Sequence, residues 1–311
     1  MRTPSDQIIH KTAWLYYGQG LRQEAIAEAL GISRGSVVNY LKRAKDVGAV
    51  SIRLPTGIFR EDVLARRLED AMGLKNIWII PDGTDGTPFD YSVAAGQIIL
   101  DQVKAGDKIG LAWGETLYYV VENMPTTDLE GISVLQMCGN LGAFGEYRPD
   151  QCTVELAIRF RATAENIYAP LVLHDPALAA TLRAEPIIAS QFERLKACNV
   201  ALFSAGSCMP DSHVVACGAM TKEVLADHVK LGAAAMVVGR MIDKDGNELD
   251  CAYNDGVIAM DLDTLRAIPN RICFADRGEK AASLSAACRG GFVTRAVITT
   301  SVAKQLEQTF L

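Results

Sequence analysis

The sequence predicts an α/β protein in two parts, a small helical N-terminal domain and a larger Rossmann-like domain with a mainly parallel sheet. Helical patterns separated by glycines fill the beginning of the chain. Beyond Gly73 the hydrophobic pattern changes, and continuous apolar runs alternate with helical segments. Such runs are typical of parallel strands covered by helices on both faces. We place the boundary at Pro55-Thr56-Gly57, which gives domains of residues 1–57 and 58–311.

Composition is that of a soluble globular protein. Of the 311 residues, 49% are apolar and 22% are charged, and no apolar run approaches the roughly 20 residues of a membrane helix. The N-terminal segment has no cleavable apolar stretch, so we expect a cytoplasmic protein without membrane partners. The eight cysteines are scattered without a CxxC pair, which favours buried reduced thiols over a metal site or a disulfide framework. We therefore expect no metal and no cofactor.

Charge is divided unevenly along the chain. Residues 1–60 contain nine Lys and Arg against four Asp and Glu, a net charge of +5. Because the whole chain carries −6, the remaining residues carry −11. A basic segment attached to an acidic body is the asymmetry expected of a DNA-binding module joined to another domain. A solvated basic surface is the alternative explanation.

The segment at residues 23–44 has the pattern of a helix-turn-helix, QEAIAEALGISRGSVVNYLKRA. Helices are predicted over residues 6–17, 23–30 and 34–45, with Gly31 at the turn and Ser33 as the cap of the third helix. Ala27 is the small residue that lets two helices cross closely. Five apolar residues fall at spacings that bury the helices together: Ile26, Leu30, Ile32, Val37 and Leu41. A strand predicted over residues 50–54 would make the domain winged.

The polar residues on and beside the third helix are the candidates for DNA contact. They are Arg22, Ser33, Arg34, Ser36, Asn39, Tyr40, Lys42 and Arg43. Arg34 is the candidate base reader, because it lies near the start of the recognition helix and arginine commonly pairs with guanine. Lys42 and Arg43 are candidates for phosphate contacts, which position a protein without reading sequence. An ordinary helical hairpin is the alternative interpretation.

In the larger domain, a periodic helix is predicted over residues 61–72, where it would act as a connector or a dimer contact. Further helices are predicted over residues 91–103, after Glu115 and after Thr153. The apolar runs predict strands at residues 77–80, 108–112, 133–137, 200–205, 236–238, 271–275 and 296–299. This alternation implies one parallel sheet with helices on both faces.

Three segments have features of a ligand site at strand ends. Residues 108–122 run from a strand through a glycine turn into a helix, whose first N–H groups can hold an anionic or hydroxyl-rich ligand. Residues 135–146 form a glycine-rich loop after a strand. Residues 274–291 place Arg277 and Lys280 in a turn suited to an acidic or polyol group. A plain βα turn explains the first segment equally well, and solvated side chains explain the last.

The order of these segments resembles the SorC family of bacterial sugar-responsive regulators over nearly the whole chain. The helix-turn-helix carries this resemblance together with the segments WGETLYYVVE, QMCGNLG, VVGRMIDKDG and FADRGEKAASLSAACRGG. It implies an effector domain similar to the sugar-phosphate isomerase and deaminase folds, without catalysis. It also implies operator DNA as a partner, a sugar, sugar alcohol or sugar phosphate as effector, and a homo-oligomer, typically a tetramer. The implied function is regulation of a carbohydrate or polyol catabolic operon.

The resemblance also implies which residues surround the effector. Gly114, Glu115 and Thr116 would form one loop and Cys138, Gly139 and Asn140 a second, with Asp243 and Lys280 closing the pocket. Phosphate-binding relatives tend to have consecutive threonines where this chain has Glu115-Thr116, and a carboxylate there would repel a phosphate. We therefore expect an uncharged sugar or polyol, with a sugar phosphate as the alternative. A sugar-phosphate isomerase or deaminase is a further alternative, with acid–base candidates Asp82, Asp85, Asp243 and Lys280.

Overall fold

Three helices form the N-terminal part of the computed structural model, which describes residues 4–50, 55–60, 62–83, 89–141 and 147–311. They are α1 (Pro4–Ala13), which continues as a π-helical turn over Trp14–Gly18, α2 (Gln23–Leu30) and α3 (Arg34–Asp46). The three helices predicted from the sequence are confirmed. The predicted strand over residues 50–54 falls largely on residues 51–54, which lie outside the described residues.

The turn between α2 and α3 follows from its residues. Gly31 ends α2 at a φ of 63°, a left-handed conformation that glycine adopts without steric penalty. Ser33 caps α3, because its Oγ accepts a hydrogen bond from the backbone N of Ser36 at 3.0 Å. Below the turn, three of the predicted anchors are buried together: Ile26, Val37 and Leu41.

The chain divides into two units, Met1–Leu54 and Pro55–Leu311. Ten strands are described in the larger unit: β1 (Asn76–Ile80), β2 (Lys108–Leu111), β3 (Ser133–Gln136), β4 (Thr163–Glu165), β5 (Val200–Phe203), β6 (Gly206–Ser207), β7 (Ala235–Val237), β8 (Arg240–Ile242), β9 (Asn270–Ala275) and β10 (Arg295–Thr299).

The helices of this unit are α4 (Val63–Met72), α5 (Phe89–Gln102), α6 (Glu115–Glu122), α7 (Pro149–Phe160), α8 (Pro176–Ala184), α9 (Pro186–Leu195), α10 (His213–Ala216), α11 (Lys222–Lys230), α12 (Ala252–Gly256), α13 (Leu262–Ala267), α14 (Ala281–Arg289) and α15 (Thr300–Phe310). Short 3₁₀ turns cover Thr56–Phe59 and Gly278–Lys280. Among the described residues, no helix has the length and apolar character needed to cross a membrane.

Seven strands pair in parallel in the order β1-β10-β9-β5-β2-β3-β4. The chain passes from β2 through β3 to β4 at one edge, then returns to β5 on the other side of β2. The strand order therefore reverses between β2 and β5. At such a switch point the loops after the two strands diverge, which opens a crevice at their carboxyl ends. The predicted parallel α/β fold is confirmed.

The sheet is covered on both faces, as the apolar runs predicted. No residue of 77–80 in β1 or of 200–203 in β5 is more than 7% exposed. Helix α4 helps to cover β1, and its Ala65 and Leu68 are buried there and against α15. Ala65 and Leu68 are thus occupied within this unit, and the role of α4 as a connector or a dimer contact stays a prediction.

The structure corrects two expectations. The strand predicted at residues 236–238 is not part of the parallel sheet, because β7 pairs antiparallel with β6 and β8 in a separate small sheet. A two-residue turn at Val238-Gly239, with φ of 50° and 81°, makes this hairpin possible. The helix predicted after Thr153 begins earlier, at Pro149, where proline suits the first helical turn.

Candidate DNA-reading helix and effector cavity

The outer surface of α3 presents most of the residues predicted to contact DNA. Six of them are exposed: Arg22, Ser33, Arg34, Asn39, Lys42 and Arg43. Ser33 caps the helix and contacts Ser36. Tyr40 is half-buried against the cluster around Ile9 and Ala44, and its contact with DNA stays a prediction.

Arg34 stands at the first turn of α3 and makes its contacts across the turn to α2. Its Nε lies 3.0 Å from Glu24 Oε1 and donates a hydrogen bond to Gln23 Oε1 at 3.4 Å. The side chain is 66% exposed, so this surface ion pair adds little stability and leaves the guanidinium accessible. Lys42 and Arg43 follow on the same helix, two turns further on.

A cavity of about 320 Å³ opens at the carboxyl ends of β2, β5 and β9, beside the switch point of the sheet. Polar and aromatic side chains form much of its wall. The lining residues are Ala112, Trp113, Gly114, Glu115, Thr116, Tyr147, Ser204, Gly206, Ser207, Asp211, Ser212, His213, Val214, Ala216, Met236, Val238, Gly239, Arg277, Glu279 and Lys280. Predicted residues Gly114, Glu115, Thr116 and Lys280 are thus brought together.

One ion pair and the hydroxyl of Thr116 connect the loop after β2 to the loop after β9, where a second ion pair lies. Arg277 Nη2 donates to Glu115 Oε2 at 2.5 Å. Lys280 Nζ donates to Asp276 Oδ1 at 2.7 Å and also contacts Thr116 Oγ1. The Thr116 hydroxyl in turn donates to Asp276 Oδ1 at 2.9 Å. These contacts fix the positions of both cations, so each has an anionic partner before any ligand arrives.

Asp276 was not singled out from the sequence, although it anchors this arrangement. Its side chain is 5% exposed and that of Lys280 is 11% exposed. Burial disfavours the charged carboxylate, but the nearby Lys280, Arg277 and Thr116 outweigh burial and hold the pKa of Asp276 below its usual value. Asp276 is therefore ionised, and Lys280 is held against it.

An aromatic wall, Trp113, Tyr147 and His213, was also missed by sequence reasoning. The ring centroids of Trp113 and His213 are 4.9 Å apart, and those of Tyr147 and His213 are 5.7 Å apart. Burial lowers the pKa of His213 below its usual 6.5, and Lys280 and Arg277 act in the same direction against Glu115. His213 comes from a short helix far along the chain from Trp113, so no spacing in the sequence connects them.

Residues 58–306 match the family model described as "Putative sugar-binding domain". The chain belongs to the SorC family of sugar-binding transcriptional regulators. It is 28% identical over 309 residues to the uncharacterized transcriptional regulator YjhU of Escherichia coli strain K12, covering 97% of this chain and 94% of that protein. It is also 28% identical over 310 residues to the deoxyribonucleoside regulator of Bacillus subtilis strain 168, covering 98% of this chain and 99% of that protein.

A solved structure gives the same fold. The crystal structure of the full-length sorbitol operon regulator SorC from Klebsiella pneumoniae matches with a TM-score of 0.72 and 23% identity, over 97% of this chain and 99% of that chain. The resemblance to the SorC family drawn from the sequence is confirmed, and the relatives named here are transcriptional regulators.

Four residues predicted for the effector pocket do not line the cavity of this SorC-family chain. Cys138, Gly139 and Asn140 follow β3, but other chain segments fill the space there. Gly139 N donates to the carbonyl of Ile258, and the Asn140 side chain donates to the carbonyl of Ile167 at 2.8 Å. Cys138 is fully buried, which raises the pKa of its thiol far above the usual range.

Asp243, the fourth, stabilises a turn instead. Its Oδ1 accepts hydrogen bonds from the backbone N of Asp245 at 2.9 Å and of Asn247 at 2.8 Å. The hydrogen bond from the Asn247 side chain lowers the pKa of Asp243, and these backbone bonds lower it further. Of the remaining acid–base candidates, Asp82 accepts a hydrogen bond from Ser301 N outside the cavity, and Asp85 lies outside the described residues.

Proposed function

We propose that this SorC-family regulator binds operator DNA through α3 and that an uncharged sugar or sugar alcohol in the cavity controls that binding. The observation that carries the choice of effector is the pairing of charges. Arg277 is paired with Glu115 and Lys280 with Asp276, so neither cation that lines the cavity is left to neutralise a phosphate. The lining also contains Asp211 and Glu279, which would repel an anion.

The size of the cavity supports a small effector. Ligand pockets generally span ~300–1,000 Å³, and about 320 Å³ is at the small end of that range. A single sugar unit or a short polyol fits this volume better than an oligosaccharide. Such ligands offer several hydroxyls, and hydroxyls can hydrogen-bond to paired ions without disrupting them.

A sugar phosphate is the second candidate. Arg277 and Lys280 lie at a strand end, and the backbone N–H groups at the start of α6 open toward the same cavity. A phosphate would have to displace Glu115 from Arg277. Enzymatic turnover is not proposed, because the acid–base candidates from the sequence do not converge: Asp82 and Asp243 lie away from the cavity.

Thermal unfolding with a panel of ligands tests the effector class. We expect a neutral sugar or alcohol at a ~100-fold excess over Kd to stabilise the folded protein by about 2.7 kcal/mol and to be recovered unchanged. Stabilisation by sugar phosphates alone would replace the first candidate with the second. Formation of a new product would contradict the absence of catalysis.

As a mechanism, we propose that paired readers in a homo-oligomer, a tetramer by family resemblance, contact half-sites about one helical turn (~34 Å) apart in the cytoplasm. Effector binding alters the geometry of the assembly and thus the spacing of the readers. By linkage, operator DNA changes effector affinity by the same factor. A ligand that stabilises the protein but leaves operator affinity unchanged at saturation would contradict this coupling.

The DNA-reading assignment is tested by a matched pair of variants. Arg34→Ala is expected to relax the preference for one base pair. A base contact discriminates against the wrong base by about 1–3 kcal/mol, and the variant would lose that discrimination. Lys42→Ala is expected to weaken binding to every sequence and to reduce the salt dependence. Binding sites selected from random DNA, followed by affinity measurements at two salt concentrations, separate these effects. An equal loss on all sequences for Arg34→Ala would argue against base reading.

A further inference from the structure

Two buried polar atoms in the wall of the cavity have no hydrogen-bond partner within the described part of the chain. They are His213 Nε2 and Ser212 Oγ, which belong to consecutive residues at the start of α10. Both residues line the cavity, and Ser212 is only 6% exposed. Leaving a buried polar group unpaired is unfavourable, so native proteins generally give such groups a partner. A ligand in the cavity is the partner that this position offers.

Two aromatic rings pack against the imidazole of His213. They belong to Trp113 and Tyr147, with interplanar angles of 54° and 48°. The wall therefore presents apolar ring surface next to two unpaired polar atoms. Sugars and sugar alcohols have the matching chemistry, because their C–H groups alternate with hydroxyls along the same molecule. A turn about the soft χ2 torsion of His213 brings Nε2 toward such a hydroxyl.

The charge state of the imidazole agrees with this role. Burial, Lys280 and Arg277 lower the pKa of His213, and Glu115 only partly opposes them. Besides Glu115, the acidic residues that line the cavity are Asp211 and Glu279. A neutral imidazole has one nitrogen that can accept a hydrogen bond from a hydroxyl, whereas a protonated imidazole has none.

We propose that His213 is the specificity-determining contact of the cavity: its neutral imidazole accepts a hydrogen bond from a hydroxyl of an uncharged polyol or sugar, beside the hydroxyl of Ser212. This inference rests on the proposed function, since it requires the cavity to take a polyhydroxylated effector. It adds that His213 recognises the hydroxyl and that the neutral imidazole is the form that binds.

The test uses the full-length chain and three variants. His213→Phe keeps a ring between Trp113 and Tyr147 but removes the nitrogen, and Ser212→Ala removes the neighbouring hydroxyl. His174→Phe, at an exposed histidine outside the cavity, is the matched control. The probes are erythritol, D-sorbitol, D-ribose and D-glucose, with ribose 5-phosphate as the charged comparison. Calorimetry gives Kd at a series of pH values from 7.5 down to 4.5, and a thermal melt checks folding.

For the neutral probe that binds wild type most tightly, His213→Phe is expected to weaken binding about tenfold at pH 7.5, the effect of one lost hydrogen bond. Ser212→Ala is expected to weaken it severalfold, and His174→Phe to leave it unchanged. Wild-type binding should weaken as pH falls from 7.5 through the lowered pKa of His213. Glu115, Asp211 and Glu279 also line the cavity, so the absence of this dependence in His213→Phe is what assigns it to the imidazole.

The two failures are distinguishable. If a neutral probe binds wild type and both cavity variants equally, or without the pH dependence, His213 is not the contact and only this inference is overturned. If only ribose 5-phosphate binds, or none of the probes does, the proposed effector class fails and the inference fails with it. Should His213→Phe not fold, the Ser212→Ala result and the wild-type pH dependence decide in its place.

Discussion

The loops after β2 and β3 are similar in sequence but differ in where they lie. Both follow neighbouring parallel strands, both contain glycine, and both come from segments that resemble the effector loops of the SorC family. The loop at residues 112–116 lines the cavity, whereas Cys138, Gly139 and Asn140 are packed beneath other segments of the chain. The difference comes from strand order, because the sheet reverses beside β2 and not beside β3.

We propose from this difference that the loop after β2, with its partners after β9, is functional and that the loop after β3 is structural. Substitutions on the first side should therefore change effector affinity, and substitutions on the second should change only stability.

The largest effect is expected for Lys280→Met. This change removes the closer cation at Asp276, a carboxylate that is 5% exposed, and leaves Arg277, whose Nε is 3.7 Å away. Because breaking a buried ion pair is strongly destabilising, the loss should be about 3 kcal/mol. Urea unfolding of the full chain should show this loss at pH 7, and effector affinity should fall as well. If Lys280→Met unfolds with the free energy of the wild type, the Lys280–Asp276 pair contributes little to stability. If the variant keeps its effector affinity, Lys280 does not belong to the effector site.

The same pair predicts a dependence on pH. In the wild type the pKa of Asp276 is lowered, so its contribution is present above the unfolded pKa of about 3.9 and is lost as pH falls through the folded pKa. In Lys280→Met, burial raises that pKa, so the buried carboxyl becomes unfavourable as pH rises. The stability difference between the two proteins should therefore narrow from pH 7 to pH 4.5. A constant difference would contradict the assignment to Asp276.

Gly139→Ala should have the next largest effect. A Cβ at this position would lie 2.4 Å from the carbonyl oxygen of Pro170, so the backbone must shift, at a cost of about 1–3 kcal/mol. Gly57→Ala is the control, because a Cβ there meets no atom within 4 Å. Effector affinity of the folded variant should equal that of wild type. A loss of affinity with stability unchanged would move this loop into the functional class.

Asn140→Ala should give the smallest effect. Its amide donates to the carbonyl of Ile167 at 2.8 Å, and its Oδ1 accepts from Gln136 at 2.8 Å. Loss of these bonds should cost about 1 kcal/mol in unfolding free energy, with effector affinity unchanged. Weaker effector binding at full occupancy of the folded state would show that Asn140 contacts the ligand.

Sequence reasoning was most successful where a local pattern determines the structure. Gly31 and Ser33 define a turn by their own conformational preferences, and residues 77–80 define a buried strand by their apolar run. Sequence reasoning failed where the structure depends on distant segments. Asp276, His213 and Trp113 come together only through strand order, and no periodicity in the chain reports that order.

The hairpin of β7 and β8 illustrates the same limit. Residues 236–238 have the apolar run of a parallel strand, and only the turn at Val238-Gly239 directs the chain back on itself. Valine rarely adopts a positive φ, so no local pattern predicts a turn there. Family resemblance assigned Asp243 and Asn140 to the effector pocket, and it transfers the order of segments but not which segments pack over them.

The contacts between the loops after β2 and β9 also determine at which stage of synthesis the cavity can form. Glu115 and Arg277 are 162 residues apart in sequence, and Thr116 and Lys280 are 164 apart. The helices of the N-terminal unit leave the ribosome first and bury their own apolar residues, whereas the cavity is completed only after residue 280 has been synthesised. A chain interrupted before Asp276 would contain the DNA-reading helices without a finished cavity. Under the proposed function, synthesis past residue 280 is therefore a condition for control by the effector, though not for formation of the three N-terminal helices.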